Sequence, residues 1–349
     1  MKKIRFGITG SGFMGRTHAE AIRRLPNEAV LVSLWGGSRA QALAERYGVA
    51  CEPSMESLMR RSDIDAIVVS TPHYRHTTEA LRAIEAGKHV LIEKPMATSV
   101  ADCDQLLDAG KRQGTIIGIG YQQRFRMNNI CARQLIQAGA IGRLLTAQVS
   151  MLMYKASATA QFGGTWEWWD HPESVGHLIN GGPHATDLMR WFTGTEITNV
   201  SAFCRTFSPG KEVEDTTLAS LEFSNGALFS LLSSNALTVP AFPGEDFHFR
   251  IVGTTGLIDL PPIGDLKIQD EKGWRIASSQ PFVVHNASAD TAFGDIRMQC
   301  YCDQMQAFID GIRGKTLRCG TGVDGRRGVA DCLAMFTSSR EHRWVQPLT

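Results

Sequence analysis

Three short stretches of this chain combine residue types and spacings that carry chemistry. The first is Gly10-Ser11-Gly12-Phe13-Met14-Gly15. It follows an apolar strand pattern and opens a helical one, the context that a dinucleotide-binding fingerprint requires. Gly10 and Gly12 permit a tight turn and close approach of backbone to a pyrophosphate, and Gly15 lets the helix pack on the strand. The exposed N–H groups around Phe13 and Met14, together with the helix dipole, favour negative charge. A glycine-rich turn that holds no ligand is the alternative. The second stretch is Ala86-Gly87-Lys88-His89-Val90-Leu91-Ile92-Glu93-Lys94-Pro95. Its Glu-Lys-Pro falls at the carboxyl end of a parallel strand, where such sheets bind ligands. Lys94 there can donate a hydrogen bond to a substrate hydroxyl or carbonyl, and its charge assists proton movement. A surface salt bridge with Glu93 is the competing role. The third stretch is Asn180-Gly181-Gly182-Pro183-His184-Ala185-Thr186-Asp187. The glycines suggest a sharp entry and Pro183 a first helical turn. His184 and Asp187, three apart, share a helix face, which suits a proton shuttle near neutral pH. A purely structural histidine fits the same pattern.

These residues need elements to hold them. The first 120 residues alternate short apolar runs with helical patterns: strands at Ile4–Thr9, Ala29–Trp35, Ile64–Ser70, His89–Ile92 and Thr115–Tyr121, helices at Met14–Leu25, Ala40–Tyr47, Thr77–Ala86 and Val100–Gln113. Such alternation implies right-handed crossovers and an α/β, doubly wound parallel sheet. After Tyr121 the texture changes. Helices are expected at Ile130–Ala138, Pro183–Phe192, Met298–Arg313 and Gly325–Arg340, and a strand at Leu144–Tyr154. Thr216–Phe223, the Asn225-Gly226 turn and Ala227–Ser234 read as a hairpin. Lys155–Asn180 reads as a long functional loop. The second half is thus α+β with an open, mostly antiparallel sheet. The expected division is a dinucleotide-binding domain over 1–122 and a substrate-binding and oligomerisation domain over 123–349.

Bulk composition is that of an ordinary globular protein: 349 residues, 43% hydrophobic and 20% charged. With 36 basic against 35 acidic side chains the net charge is +1, so no basic excess points to nucleic acid or a membrane surface. No apolar run reaches a membrane-spanning length and the start lacks a signal-peptide core, so the expected location is cytoplasmic. The eight cysteines are scattered, without zinc or redox-pair spacing, and read as reduced thiols. No metal site is expected.

At the end of the second strand an NAD enzyme carries an acid for the ribose hydroxyls. Here the sequence runs Leu34-Trp35-Gly36-Gly37-Ser38-Arg39, without a carboxylate. Ser38 and Arg39 could hold a 2′-phosphate, which favours NADP over NAD. Arg39 as a solvated helix-start residue is the alternative.

Together with Ser70–His76 (STPHYRH), Gly120–Phe125 (GYQQRF), Gly181–Gly194 (GGPHATDLMRWFTG) and the closing TGVDGRRGVADCLAMFTSSREHRW, these motifs resemble the Gfo/Idh/MocA oxidoreductase family over essentially the whole chain. The resemblance implies an N-terminal Rossmann domain and a C-terminal domain whose open sheet mediates homodimers or homotetramers. It implies hydride transfer between a nicotinamide and a carbinol or carbonyl carbon, usually of a sugar or cyclic polyol. Lys94 matches the family's catalytic lysine and His184 its catalytic histidine. Thr71, Pro72, His76, Glu93 and Gln122 match positions lining the nicotinamide end of the cofactor. Many members carry aspartate where this chain has Asn180, and an amide hydrogen-bonds a hydroxyl without taking its proton. Proton transfer then falls on Lys94 and His184. Trp166, in the Gly163–His171 loop with Trp168 and Trp169, is a candidate substrate-stacking residue, or a sheet cap or subunit contact. Arg124 is a candidate for an anionic substrate group, with a structural ion pair as its other reading. Redox-neutral glycoside cleavage or elimination on transiently reduced NAD, and a non-catalytic dinucleotide-binding regulator, are the competing functions.

Overall fold

The structure, a computed structural model, describes residues 2–153, 167–237, 246–261, 263–280 and 293–348. Two compact units emerge: Met1–Gln122 with Ala292–Val329, and Gln123–Thr291 with Ala330–Thr349.

The first unit is built on strands β1 (Ile4–Thr9), β2 (Ala29–Trp35), β3 (Ala50–Cys51), β4 (Ala66–Val69), β5 (His89–Ile92) and β6 (Ile117–Ile119). Their order is β3-β2-β1-β4-β5-β6, all parallel. β4 is Ala-Ile-Val-Val, buried throughout, as a strand covered on both faces by helices must be. Helices α1 (Phe13–Arg23), α2 (Ala40–Tyr47), α3 (Met55–Arg60), α4 (His76–Glu85) and α5 (Val100–Gln113) make the crossovers. Strand order reverses between β1 and β4, so a crevice opens beyond their carboxyl ends, the ligand position of such sheets. The doubly wound Rossmann arrangement expected from sequence is therefore present.

One assignment needs correcting. Residues 292–329 belong with the first unit, not with everything after 123. The helix Asp295–Ile312 lies against α1, and its Phe308 ring sits 6.4 Å from Phe6 of β1. Gly118 of β6 leaves the space that Phe308 fills, since a Cβ there would come within 2.8 Å of that ring. The strand Gly320–Thr321 then adds antiparallel to β6.

The second unit carries α6 (Met127–Gln137), β7 (Leu144–Leu152), α7 (His177–Thr193), and strands β8 (Ile197–Arg205), β9 (Thr216–Phe223), β10 (Leu228–Ser234), β11 (Asp246–Gly253), β12 (Leu257–Leu260), β13 (Gly264–Asp270) and β14 (Gly273–Gln280). The eight strands form one sheet, ordered β14-β13-β12-β11-β7-β10-β9-β8. All pairs are antiparallel except β7–β10. The hairpin expected over 216–234 is present, with Leu218 opposite Leu232. Helices α6 and α7 cover one face of this sheet, over buried residues such as Val149, Leu221, Leu231 and Phe249. In numbering that follows the chain, Asp295–Ile312 is α8, Gly320–Thr321 is β15 and Gly322–Glu341 is α9.

The helix expected from Pro183 begins earlier, at His177, so Pro183 lies inside it. Gly181 and Gly182 are correspondingly not a sharp entry but places of close packing. A Cβ on Gly181 would come 2.5 Å from Met151 Cε, and one on Gly182 would come 2.8 Å from Cys332 Sγ.

Candidate functional site

In the first unit the chemistry-bearing residues gather at the carboxyl ends of β1, β4 and β5. Gly10 turns the chain out of β1 with φ +92°, a conformation that glycine adopts without strain. A Cβ on Gly15 would collide with the Gly10 carbonyl oxygen, so α1 rests directly on the turn. Gly12 is different: the nearest atom to its position is Arg39 Nη2, 3.9 Å from where a Cβ would be. The N-cap Gly12 gives α1 no side-chain cap, and the first turn holds no acid. A helix start without a side-chain cap beside an open glycine suits an anion. Arg39 Nη2 lies at that same place. The residues present thus fit a dinucleotide pyrophosphate on the turn. Phe13 itself packs against Phe293, ring centroids 5.6 Å apart, and Met14 is partly exposed.

Trp35 ends β2, and the guanidinium of Arg75 lies 5.6 Å from its ring centroid. Ser38 and Arg39 follow in the turn before α2, with no carboxylate between Trp35 and Arg39.

Beyond β4, the Thr71 hydroxyl donates to Glu79 (2.9 Å), and Pro72 caps a short turn over His73–Arg75. His76, a candidate to line the cofactor, has a buried ring with each nitrogen within hydrogen-bond distance of a backbone carbonyl, of which a neutral ring can donate to one. Nδ1 meets the Pro95 carbonyl at 2.8 Å and Nε2 the Thr71 carbonyl at 2.9 Å. His76 therefore braces the Thr71 and Pro95 segments against each other. Burial holds its pKa below the ordinary value, with the two carbonyl bonds pulling upward.

Glu93 follows β5 and meets His18 of α1, Nε2 to Oε1 2.7 Å, with both side chains buried. Burial pushes this carboxyl up, but the hydrogen bond and charge of His18, with Lys94 and His76, hold it below the usual carboxylate range. His18 is thus Glu93's hydrogen-bonding partner, with the charge of Lys94 acting on the same carboxylate. Lys94 is partly exposed beside it, joined to Pro95 by a cis peptide bond. Gln122 is buried, and its Oε1 has no hydrogen-bond partner among the described residues. A buried acceptor without a donor suits an amide-bearing ligand such as a nicotinamide.

Two contributors to this unit's site carry no local sequence signal. His18 lies within α1's buried face, where its apolar neighbours disguise it. Arg297 lies 4.5 Å from the Phe13 ring centroid and donates to Thr17 Oγ1 at 3.2 Å, across a sequence separation of 280 residues.

In the second unit α7 carries Asn180 and His184. From His177 to Met189 every residue is buried except His184, so this imidazole alone reaches the surface of that run. Asn180 is one turn earlier on the same face. The carboxylate expected to assist His184 is committed elsewhere: Arg124 holds Asp187 through two hydrogen bonds, 2.8 and 2.5 Å. That geometry fits the structural ion-pair reading of Arg124. The N-terminus of α7 is held by Glu214, whose carboxylate accepts from the Leu178 N–H (2.7 Å) and the Thr217 hydroxyl (2.7 Å). Burial pushes the Glu214 pKa up to about 7. Trp166 lies outside the described residues. Trp168 and Trp169 pack edge to face, centroids 5.8 Å apart.

Known proteins share this architecture. Residues 4–121 match the family described as an oxidoreductase family with an NAD-binding Rossmann fold, and residues 130–259 match the GFO/IDH/MocA C-terminal domain. An inositol 2-dehydrogenase (type 3) of Saccharopolyspora erythraea is 24% identical over 95% of this chain and 91% of its own length. A 1,5-anhydro-D-fructose reductase of Ensifer adhaerens is 26% identical over 96% of each chain. Among solved structures, a levoglucosan dehydrogenase in complex with NADH and levoglucosan superposes with a TM-score of 0.83 at 22% identity, covering 100% of both chains.

Proposed function

This chain belongs to the Gfo/Idh/MocA oxidoreductase family, and on that premise we propose that it is an NAD(P)-dependent dehydrogenase or reductase acting on a carbinol or carbonyl carbon of a sugar, cyclic polyol or related cyclic alcohol. The observation that carries the proposal is the turn at Gly10–Gly15: an uncapped helix start beside the one glycine of the motif with open space around it. The names of similar proteins, an inositol 2-dehydrogenase and an anhydrofructose reductase among them, support the substrate class.

When bound, the nicotinamide supplies the hydride-exchanging carbon. The chain's own residues do the rest. Lys94 donates a hydrogen bond to the substrate oxygen and steadies the charge that develops there. His184 takes the hydroxyl proton in oxidation and returns it in reduction. Asn180 orients the hydroxyl without exchanging a proton with it. Gln122 Oε1 accepts from the carboxamide, and the turn amides hold the pyrophosphate. Ser38, Arg39 and Arg75 place two guanidinium groups and a hydroxyl around the end of β2, where a carboxylate would repel a 2′-phosphate, so NADP is the proposed cofactor in preference to NAD.

The test is a dehydrogenase screen of sugars, cyclic polyols and dihydrodiols, run with NAD and NADP in parallel and followed by nicotinamide absorbance. Reduction of the dinucleotide on at least one cyclic polyol or sugar is expected, faster with NADP at equal subsaturating concentrations. Failure of either dinucleotide to bind in calorimetry would overturn the proposal.

A further inference from the structure

We propose that His18 is a positioning residue for Lys94, acting through its buried pair with Glu93. The inference rests on the reading of Lys94 as the group that binds the substrate oxygen. His18 comes from α1, the helix that carries the dinucleotide turn, and Glu93 directly precedes Lys94. Their side chains are 0% and 6% exposed and meet at 2.7 Å. With no exposed surface, His18 touches no ligand and acts only through what it holds.

Taking a carboxylate out of water costs several kcal/mol, repaid only by good geometry. The carboxylate is closely held here, while His18 Nδ1 is buried without a hydrogen-bond partner among the described residues. The Glu93 N–H donates to the Val69 carbonyl at 2.9 Å. A Cβ on Gly120 would come within 2.9–3.1 Å of the Glu93 carboxylate, so the carboxylate is wedged between the imidazole and a residue that has no side chain. Tyr301 of α8 packs edge-on against the other side of the His18 ring, at 6.1 Å. The charged and titratable groups facing Glu93 are His18 from α1, His76 from α4 and its own neighbour Lys94, with Glu79 behind His76. A carboxylate is acceptor-only, so His18 Nε2 must carry its proton. Remove that donor and Glu93 is left as an unpaired buried charge, which either moves or takes up a proton. Either response shifts the residue to which Lys94 is bonded, and small misplacements of a reacting group are expensive in rate.

The experiment compares His18→Leu with His18→Gln, whose amide retains an N–H donor, and with Lys94→Ala as the reference. Turnover uses the substrate found in the screen above. An independent readout follows the Glu93 carboxyl by 13C NMR on glutamate-labelled protein, the signal assigned with Glu93→Gln. In the native protein Glu93 is expected to stay ionised throughout a titration from about pH 5 to 9, all of which lies above the ordinary glutamate pKa of about 4.3, since its own pKa is held lower still. In His18→Leu it is expected to titrate inside that range, while kcat falls roughly 10- to 100-fold and NADPH affinity, measured by its fluorescence, changes little. His18→Gln should recover most of the turnover and the native titration. If His18→Leu fails to fold, His18→Asn replaces it, because the shorter amide falls short of the carboxylate. A folded variant without the donor that keeps native turnover and native Glu93 titration overturns the proposal. So does a glutamine variant that loses as much as leucine. Full turnover in Lys94→Ala would instead strike the catalytic reading, leaving the Glu93 titration to report on the pair itself.

Discussion

A carbinol gives up hydride readily only while its hydroxyl proton is being removed, so the groups that touch that oxygen set the rate. Lys94→Ala and His184→Asn are therefore expected to lower kcat by roughly 10²–10⁴-fold, the usual contribution of a general acid–base group. Dinucleotide binding should persist, because the turn amides are untouched. Steady-state kinetics with parallel NADPH titration checks this, and a Lys94→Ala enzyme with native kcat would refute the role. Arg39→Ala should weaken NADPH binding by about 1.5–3 kcal/mol more than it weakens NADH binding, the range for a hydrogen bond to a charged group, since only the 2′-phosphate distinguishes the two dinucleotides. Equal losses for both would show that Arg39 merely braces the turn. At this scale the sequence was informative where a residue's role is written into its neighbours. Lys94 follows an apolar strand and precedes proline. His184 is different, because its environment is decided by packing that only the folded chain reveals. His18 looked like one more position on a buried helix face, and the Arg124–Asp187 pair joins residues 63 apart. No local pattern announces either pairing.

The element that carries His184 is α7, and its start illustrates how tertiary packing overrides propensity. Asn180-Gly181-Gly182-Pro183 argues locally against helix, yet α7 runs from His177 to Thr193. Met151 and Cys332 press on the backbone where Gly181 and Gly182 lie, so larger residues with better propensity would clash there. The same helix is anchored by Glu214, a carboxyl raised by burial from 4.5 to about 7. A raised folded-state pKa means that the folded chain holds the proton more tightly than the unfolded one. The associated stability is complete below about pH 4.5, falls as pH rises, and is gone above about pH 7. Glutamine keeps the shape and cannot ionise. The stability of the native protein relative to Glu214→Gln is therefore expected to decline between pH 4.5 and 7, by an amount of order 3 kcal/mol. Urea unfolding of both proteins across that range measures it, and a difference independent of pH would show that Glu214 does not titrate there.

At the scale of the whole molecule, alternation and period revealed two architectures, but not which segments return to which. The periodicity of Met298–Arg313 marks a helix, which the structure places at Asp295–Ile312. Its place against α1 depends on Phe308 meeting Phe6, a contact between the two ends of the chain. The sheet of the second unit raises a comparable question, since α6 and α7 cover only one of its faces. On the other, Phe203 stands opposite Leu218 and Leu218 opposite Leu232, a row across three strands with exposures of 57%, 53% and 38%. Trp274 and Ile276 are exposed on β14 of the same sheet. Contiguous apolar surface of this kind marks an interaction site, and a flat sheet face is self-complementary under a two-fold axis. We propose that this face joins copies of the chain into a homodimer or homotetramer. Burying it would remove several large side chains from water at about 25 cal/mol per Å². A glutamate at the middle of the row, Leu218→Glu, would bring like charges together across the axis, so dissociation toward the 38.3 kDa chain is expected in sedimentation velocity, with NADPH affinity retained. A native protein that sediments as a monomer at micromolar concentration, or a Leu218→Glu variant that stays assembled, would place the interface elsewhere.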